Sequence, residues 1–217
     1  VFILCLPLLL LTASVSLALN SFSLYKYGFE KYDVGQTTGL AEIELDRAAI
    51  GLINYFNSSE EYISLSVAKD GQPFVLFNER EIIHLRDVKE LIKLNNLVLL
   101  VTLICVLGYA VTSLWQKDHN QLARGLVGGG SLTLALMLLL GLGALLNFDQ
   151  LFHQFHLLSF TNDLWLLNPA TDYLIMLFPG GFWYDAMLFC VMATAAGALI
   201  LGGAGAIYLR LNRSKTD

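Results

Sequence analysis

The chain has 217 residues, of which 56% are hydrophobic and only 14% charged, with a formal net charge of −5 and a mean hydropathy of +0.61. Soluble globular domains carry about 25% charged residues, so the composition excludes an ordinary soluble domain, and the acidic balance excludes a nucleic-acid partner. Cys5, Cys105 and Cys190 all fall in apolar stretches; they form no CxxC pair and point to neither a disulfide framework nor a metal site.

Taken in chain order, residues 1–19 are apolar apart from Thr12, Ser14 and Ser16. They predict a first transmembrane helix, with a cleaved leader as the alternative. The stretch is long for a leader's apolar region, so a retained helix is the expectation. Pro7 is expected in the first turn, where no intrahelical N–H bond is lost.

Residues 20–96 are polar and predict a small α+β domain. Ile43, Leu45, Ala49, Ile50, Ile53 and Phe56 follow helical spacing over 41–56. Residues 62–67 alternate as a strand does, "KDGQP" (69–73) is turn chemistry, and 74–77 reads as the second strand of a hairpin. Asn78 with Glu81 three residues on fits a variant capping box. The helix it starts carries Ile82, His84, Val88, Leu91 and Ile92, and is expected to continue into the second span, residues 97–115.

A short loop, 116–125, holds Lys117 and Arg124 and leads to the third span, 126–146. Glycines in the spans, Gly128 to Gly130, Gly141, Gly143 and Gly202 to Gly205, are expected to let helices approach closely. Residues 147–185 contain no Lys or Arg but hold Asp149, Asp163, Asp172 and Asp185 among many aromatic rings. Such a segment suits an interfacial or re-entrant loop. The fourth span is 186–209, and the tail, 210–217, carries Arg210, Arg213 and Lys215.

The expected fold is therefore a membrane α-helical protein. Four transmembrane helices carry a small α+β extracytoplasmic domain between the first and second, and an aromatic-rich outward loop between the third and fourth. Positive charge on the short loop and tail puts both termini in the cytoplasm. The eight Lys and Arg of residues 20–96 do not oppose this, because long segments cross regardless of charge.

The polar residues that stand out are histidines. His84 has Glu81, Asp87 and Val88 as helical neighbours, and a surface histidine paired with acids is the plainer reading. His153 and His156, at i and i+3, share one helical face and precede Asn162-Asp163. Ionisable groups at membrane depth usually face a cavity; an aromatic anchor with incidental histidines is the alternative. No HExxH helix occurs, so a metal-dependent membrane hydrolase would need a third ligand from His84 or Asp163. No GxSxG elbow supports a serine hydrolase. Two separated histidines acting as base and acid remain possible, and so does a non-catalytic membrane sensor or scaffold.

"FNEREIIHLRDVKELI" (77–92) and "FHQFHLLSFTNDLWLLNPATDYLIMLFP" (152–179) resemble the two signature stretches of the bacterial lipoprotein intramolecular transacylases, small four-helix membrane proteins of Gram-positive bacteria. Motif order and span number are similar across essentially the whole chain. Asn168 and Gly180 depart from the pattern, since acidic residues are common there. The resemblance implies transfer of the sn-2 acyl chain of a diacylglyceryl-cysteine to the α-amino group of the same cysteine, giving a lyso-form, N-acylated lipoprotein. No cofactor or metal is expected at the site. A diacylated lipoprotein and membrane lipid are the implied partners, and the outer face of the plasma membrane the implied location.

The family's invariant histidines fall on His84 and His156, with His153 more expendable. An α-amine has a pKa of about 7.7 to 8.0, and histidine titrates near enough to accept its proton. His84 is expected as general base and His156 as acid or oxyanion partner, with the roles interchangeable. Asn162 and Asp163 are expected to orient the imidazoles or the ammonium group. Asp172 is expected as a hydrogen-bonding group near Pro169 and Pro179. Arg80 and Arg86 read as solvated helix charges, with contacts to lipid phosphate or peptide carbonyls as the alternative.

Overall fold

The computed structural model describes residues 1–213. In chain order the elements are α1 (Phe2–Leu19), α2 (Phe22–Lys31), α3 (Val34–Thr38), α4 (Glu42–Asn57), β1 (Ser66–Lys69), β2 (Gln72–Val75), α5 (Glu79–Trp115), α6 (His119–Ser159), α7 (Tyr173–Leu177) and α8 (Gly180–Arg213). Among the described residues, four helices, α1, α5, α6 and α8, are long and apolar enough to cross a membrane. A helix suits that setting because every backbone polar group is paired within the segment. The chain divides into two compact units. One comprises Val1–Leu17, Leu94–Leu146 and the chain from Leu188; the other comprises Ala18–Lys93 and Asn147–Met187.

In the first unit, hydroxyls are satisfied inside the helices. Thr12 and Ser14 donate to the carbonyls of Leu8 and Leu10, and Thr194 donates to Ser14 Oγ at 3.0 Å. Asn95 Nδ2 donates to the Thr12 carbonyl and to Ser16 Oγ. A Cβ on Gly130 would lie 3.0 Å from the Ala198 carbonyl oxygen, and one on Gly205 would lie 2.7 Å from that of Ala123. These glycines let α6 and α8 meet backbone to backbone, the contact that small residues permit between apolar helices. Pro7 lies in the second turn of α1 rather than the first, because the helix starts at Phe2. Its missing N–H therefore leaves the carbonyl four residues earlier without a helical donor.

The second unit folds around an apolar core of Tyr25, Phe29, Leu52, Tyr55, Val67, Phe77, Leu177, Phe178 and Phe182. Ser21 caps α2 by accepting from Leu24 N. Gly28 on that helix leaves room for the Phe182 ring, which a Cβ would meet at 2.3 Å. The buried Glu44 carboxylate takes both the Arg47 guanidinium and the Ala68 N–H, tying α4 to β1.

Three sequence expectations change here. The hairpin pairs Ser66 with Val75 and Lys69 with Gln72, so the ladder lies later than 62–67 in its first strand and earlier than 74–77 in its second. Asp70 and Gly71 both have positive φ, giving the two-residue turn that matches strand twist and sets the register. Residues 20–40, read only as polar chain, contain α2 and α3. Residues 147–185 are largely helical rather than loop: α6 continues to Ser159 and α8 begins at Gly180, with Pro179 accepting its first backbone bonds. The one departure inside α6 is Asn147, whose backbone is extended. Its Oδ1 accepts from Gln150 N at 3.0 Å, so it acts as an internal N-cap for the segment carrying His153 and His156.

Candidate functional site

The site is assembled within the second unit from the start of α5, the segment of α6 after Asn147, and the turn that follows it. Asn78 and Glu81 form a reciprocal cap: Asn78 N donates to Glu81 Oε2 at 2.7 Å, and Glu81 N donates to Asn78 Oδ1 at 3.0 Å. Glu81 is 1% exposed, and its other oxygen accepts from Leu174 N at 2.6 Å. Burial raises its pKa, opposed by these two backbone donors and reinforced by nearby Asp172. Asn78 Nδ2 also donates to Asp172, which in turn accepts from Asn168 N and Thr171 Oγ1. Asp172 thus joins the start of α5 to the approach to α7.

One turn beyond the cap, Arg80, His84 and Asp87 occupy positions i−4, i and i+3 of one helical face. His84 is 6% exposed, and its ring centre lies 6.3 Å from that of His156, with 29° between the planes. Phe160 meets His84 edge-on at 5.0 Å. The Nδ1 atom of His84 is buried and has no hydrogen-bond partner among the described residues. Burial pushes the His84 pKa down to about 4; His156 and Arg80 add to the shift and Asp87 opposes it. His84 is therefore neutral at neutral pH.

His156 is 9% exposed and its Nδ1 lies 2.8 Å from the Phe152 carbonyl oxygen. A carbonyl only accepts, so Nδ1 carries the proton and the neutral ring presents its lone pair at Nε2. Burial lowers the His156 pKa; the bond to Phe152 opposes this, and His153 adds a small further lowering. Trp165 lies against His156, with ring centres 4.8 Å apart, and Phe152 meets it edge-on at 4.4 Å.

The remaining sequence candidates divide sharply. His153 is exposed and touches Trp165 edge-on at 5.2 Å. Asn162 binds neither imidazole: its Nδ2 donates to Asp87 Oδ2 at 2.8 Å and its Oδ1 accepts from Leu164 N. Asp163 has an exposed side chain, while its backbone carbonyl accepts from Arg80. Arg86 projects from another side of α5, donating to the Tyr62 hydroxyl at 3.1 Å with Glu61 at 3.8 Å. Asp172 belongs to the capping network described above.

Sequence reasoning placed Asp87 only as a neighbour of His84 and Phe160 only in an aromatic belt, while Trp165 stood out as part of the Asn162-Asp163-x-Trp165 run of the second signature stretch. The helical spacing from His84 was the available signal for Asp87. No local pattern marked Phe160. Among the described residues no group of three or more His, Cys, Asp or Glu could hold a metal ion.

Four bilayer-length helices and a buried histidine pair define a multi-pass membrane protein with a compact polar site. The family model for lipoprotein intramolecular transacylase Lit matches residues 1–183, and the chain belongs to that family. The in meso structure of the membrane-integral lipoprotein intramolecular transacylase from Bacillus cereus superposes with a TM-score of 0.84 at 19% identity, covering 98% of this chain and 94% of that one. Two variants of the Bacillus protein, each with one histidine replaced, by arginine or by alanine, superpose with TM-scores of 0.79 at 18% identity. They cover 91% and 92% of those chains. At these identities the likeness establishes the fold. An uncharacterised protein of Aquifex aeolicus is 28% identical over 127 residues, 58% of this chain and 55% of the relative, so the match spans about half of that relative's length.

Proposed function

We propose that the protein moves the sn-2 acyl chain of a diacylglyceryl-cysteine lipoprotein to the α-amino nitrogen of the same cysteine. The observation that carries this reading is the meeting of His84 and His156, from distant parts of the chain, with ring centres 6.3 Å apart. The reaction is an isomerisation: an N–C bond forms, the sn-2 ester C–O bond breaks, and the amine proton ends on the glyceryl oxygen. Amine and ester belong to one molecule, so the protein chiefly orients the substrate and stabilises the transition state. No acyl-enzyme is required.

The pinned Nδ1–H of His156 favours this residue as the base, with Nε2 taking the amine proton and later returning it to the glyceryl alkoxide. The imidazolium that forms in between is stabilised by the Phe152 carbonyl. His84, held neutral by burial, suits a different role: a neutral imidazole N–H donating to the developing oxyanion, as a neutral histidine can. This assigns the roles in the reverse of the order expected from sequence. Each histidine should contribute about 10²- to 10⁴-fold. Residues 20–96 and 147–185 are assigned to the extracytoplasmic face and both termini to the cytoplasm, where the charge distribution puts them.

The test is mass spectrometry of the N-terminal tryptic peptide of a lipoprotein from a host lacking its own N-acyltransferase. Wild type should leave the total mass unchanged but place one acyl chain on nitrogen, and His84→Ala and His156→Ala should not. A peptide that keeps a free amine with well-expressed wild type rules the proposal out.

A further inference from the structure

We infer that Asp87 is the counter-ion that receives the α-ammonium group of the substrate cysteine, an inference that rests on the transacylase reading above. The substrate brings a positive charge on the atom that reacts. Both histidines are neutral at neutral pH, and the other charge on this face of α5, Arg80, has the wrong sign. An ammonium entering a half-buried site needs an anion to offset its desolvation.

Four acids lie near enough to consider, and the structure separates them. Glu81, three residues before His84, is fully enclosed with both oxygens taken by backbone N–H groups. Asp172 has both oxygens committed as well. Asp163 has an exposed carboxylate on the turn. Asp87 is half-buried, close enough to His84 to shift its titration, and only its Oδ2 is engaged by a neighbouring side chain, Asn162.

Asp87 also differs from the paired carboxylates of the same unit. Glu42, Glu44, Glu90 and Asp185 each have a lysine or arginine nitrogen within 2.7 Å. Among the described residues, Asp87 has no such partner within 4.0 Å; the adjacent Arg86 is turned to Tyr62. Asn162 fixes the carboxylate, and is itself fixed by Leu164 N, while Arg80 holds the next residue's carbonyl. The result is an oriented anion with one oxygen not claimed by another side chain, one helical turn from His84.

The charge serves two stages of the same reaction. It first holds the ammonium. After His156 has taken one proton and the amine has attacked, nitrogen again carries positive charge in the tetrahedral intermediate, and Asp87 stabilises it there. Two protons leave the ammonium nitrogen. The first passes through His156 to solvent before attack; the second passes through His156 from the tetrahedral intermediate to the glyceryl oxygen. Asp87 keeps its own protonation state throughout.

Binding of two unreactive lipopeptides tests this. Both carry ether-linked chains on the glyceryl group and a fluorescent label; one has a free α-amine and the other is N-acetylated. Fluorescence anisotropy with the purified full chain in detergent should show wild type favouring the free-amine form by about 10- to 100-fold, the worth of one hydrogen bond to a charged group. Asp87→Asn, which keeps an oxygen for Asn162 to donate to, should bind the two forms equally. Asp87→Glu should retain the preference. A wild-type protein that binds both forms alike, or a preference that survives in Asp87→Asn, overturns the assignment. Failure of wild type to convert the corresponding diester lipopeptide would instead refute the transacylase reading.

Discussion

Replacing His84 with phenylalanine should remove a large part of the protein's acid sensitivity. Burial holds the folded pKa of His84 at about 4, against an ordinary value of 6.5. Because the folded value is depressed, the contribution is fully present above pH 6.5 and is lost as the pH falls through 4. The difference of 2.5 units at about 1.36 kcal/mol each is worth about 3 kcal/mol. At about 2–4 °C per kcal/mol for a chain of this size, that is roughly 6–12 °C in midpoint. The assay is thermal unfolding of both proteins in detergent from pH 8 to pH 4. Carboxylates protonate in both, so their contribution cancels in the difference between the curves. The variant should lose markedly less stability than wild type across this window. Histidine-selective NMR should show an imidazole titrating near pH 4 in wild type that is missing from the variant. Parallel midpoint–pH curves, or no imidazole titrating that low, would refute the claim that burial holds His84 neutral.

The other predictions concern the cap, the core and the reaction. Glu81→Ala removes the acceptor for both Asn78 N and Leu174 N, and should destabilise the fold by about 3 kcal/mol, read from denaturation midpoints. Gly28→Ala drives a methyl group into the Phe182 ring and should cost about 1–3 kcal/mol, visible in the same measurement. Acyl transfer to nitrogen, followed by mass spectrometry, should fall about 10²- to 10⁴-fold in His156→Ala. His153→Ala should stay within the roughly two-fold that a surface change of about 0.5 kcal/mol allows. The transfer rate should rise from pH 6 towards about pH 8 as the substrate amine, with a pKa of about 7.7–8.0, loses its proton. His84, already neutral throughout that range, should add no inflection of its own.

Features set by neighbouring residues were legible in the amino-acid sequence. Apolar runs of bilayer length mark the four helices, because hydrophobic length is a property of a continuous segment. Asn78 and Glu81 announce the start of α5, because a capping box closes over three residues. The Asp70-Gly71 turn is equally local; the hairpin's strand limits were misjudged because pairing across the turn, not alternation along one strand, sets them. The internal cap at Asn147 was hidden by the apolar helix on one side and the aromatic run on the other.

The site was only half legible. Helical spacing put His153 and His156 on one face of a helix, but spacing treats them alike. Packing alone sends His156 beneath Trp165 and against His84 while leaving His153 outside. Asn162 and Asp163 looked like partners for an imidazole; in the fold one is bound to Asp87 and the other offers its backbone carbonyl to Arg80. These contacts join residues far apart in the chain, and no short-range periodicity encodes them. They form because the core around Phe178 and Leu177, and the Glu81 bond to Leu174, bring the start of α5 and the start of α7 together. The sequence by itself determined the helices and the types of side chain on them; the tertiary structure decided which histidines meet and which acid stands beside them.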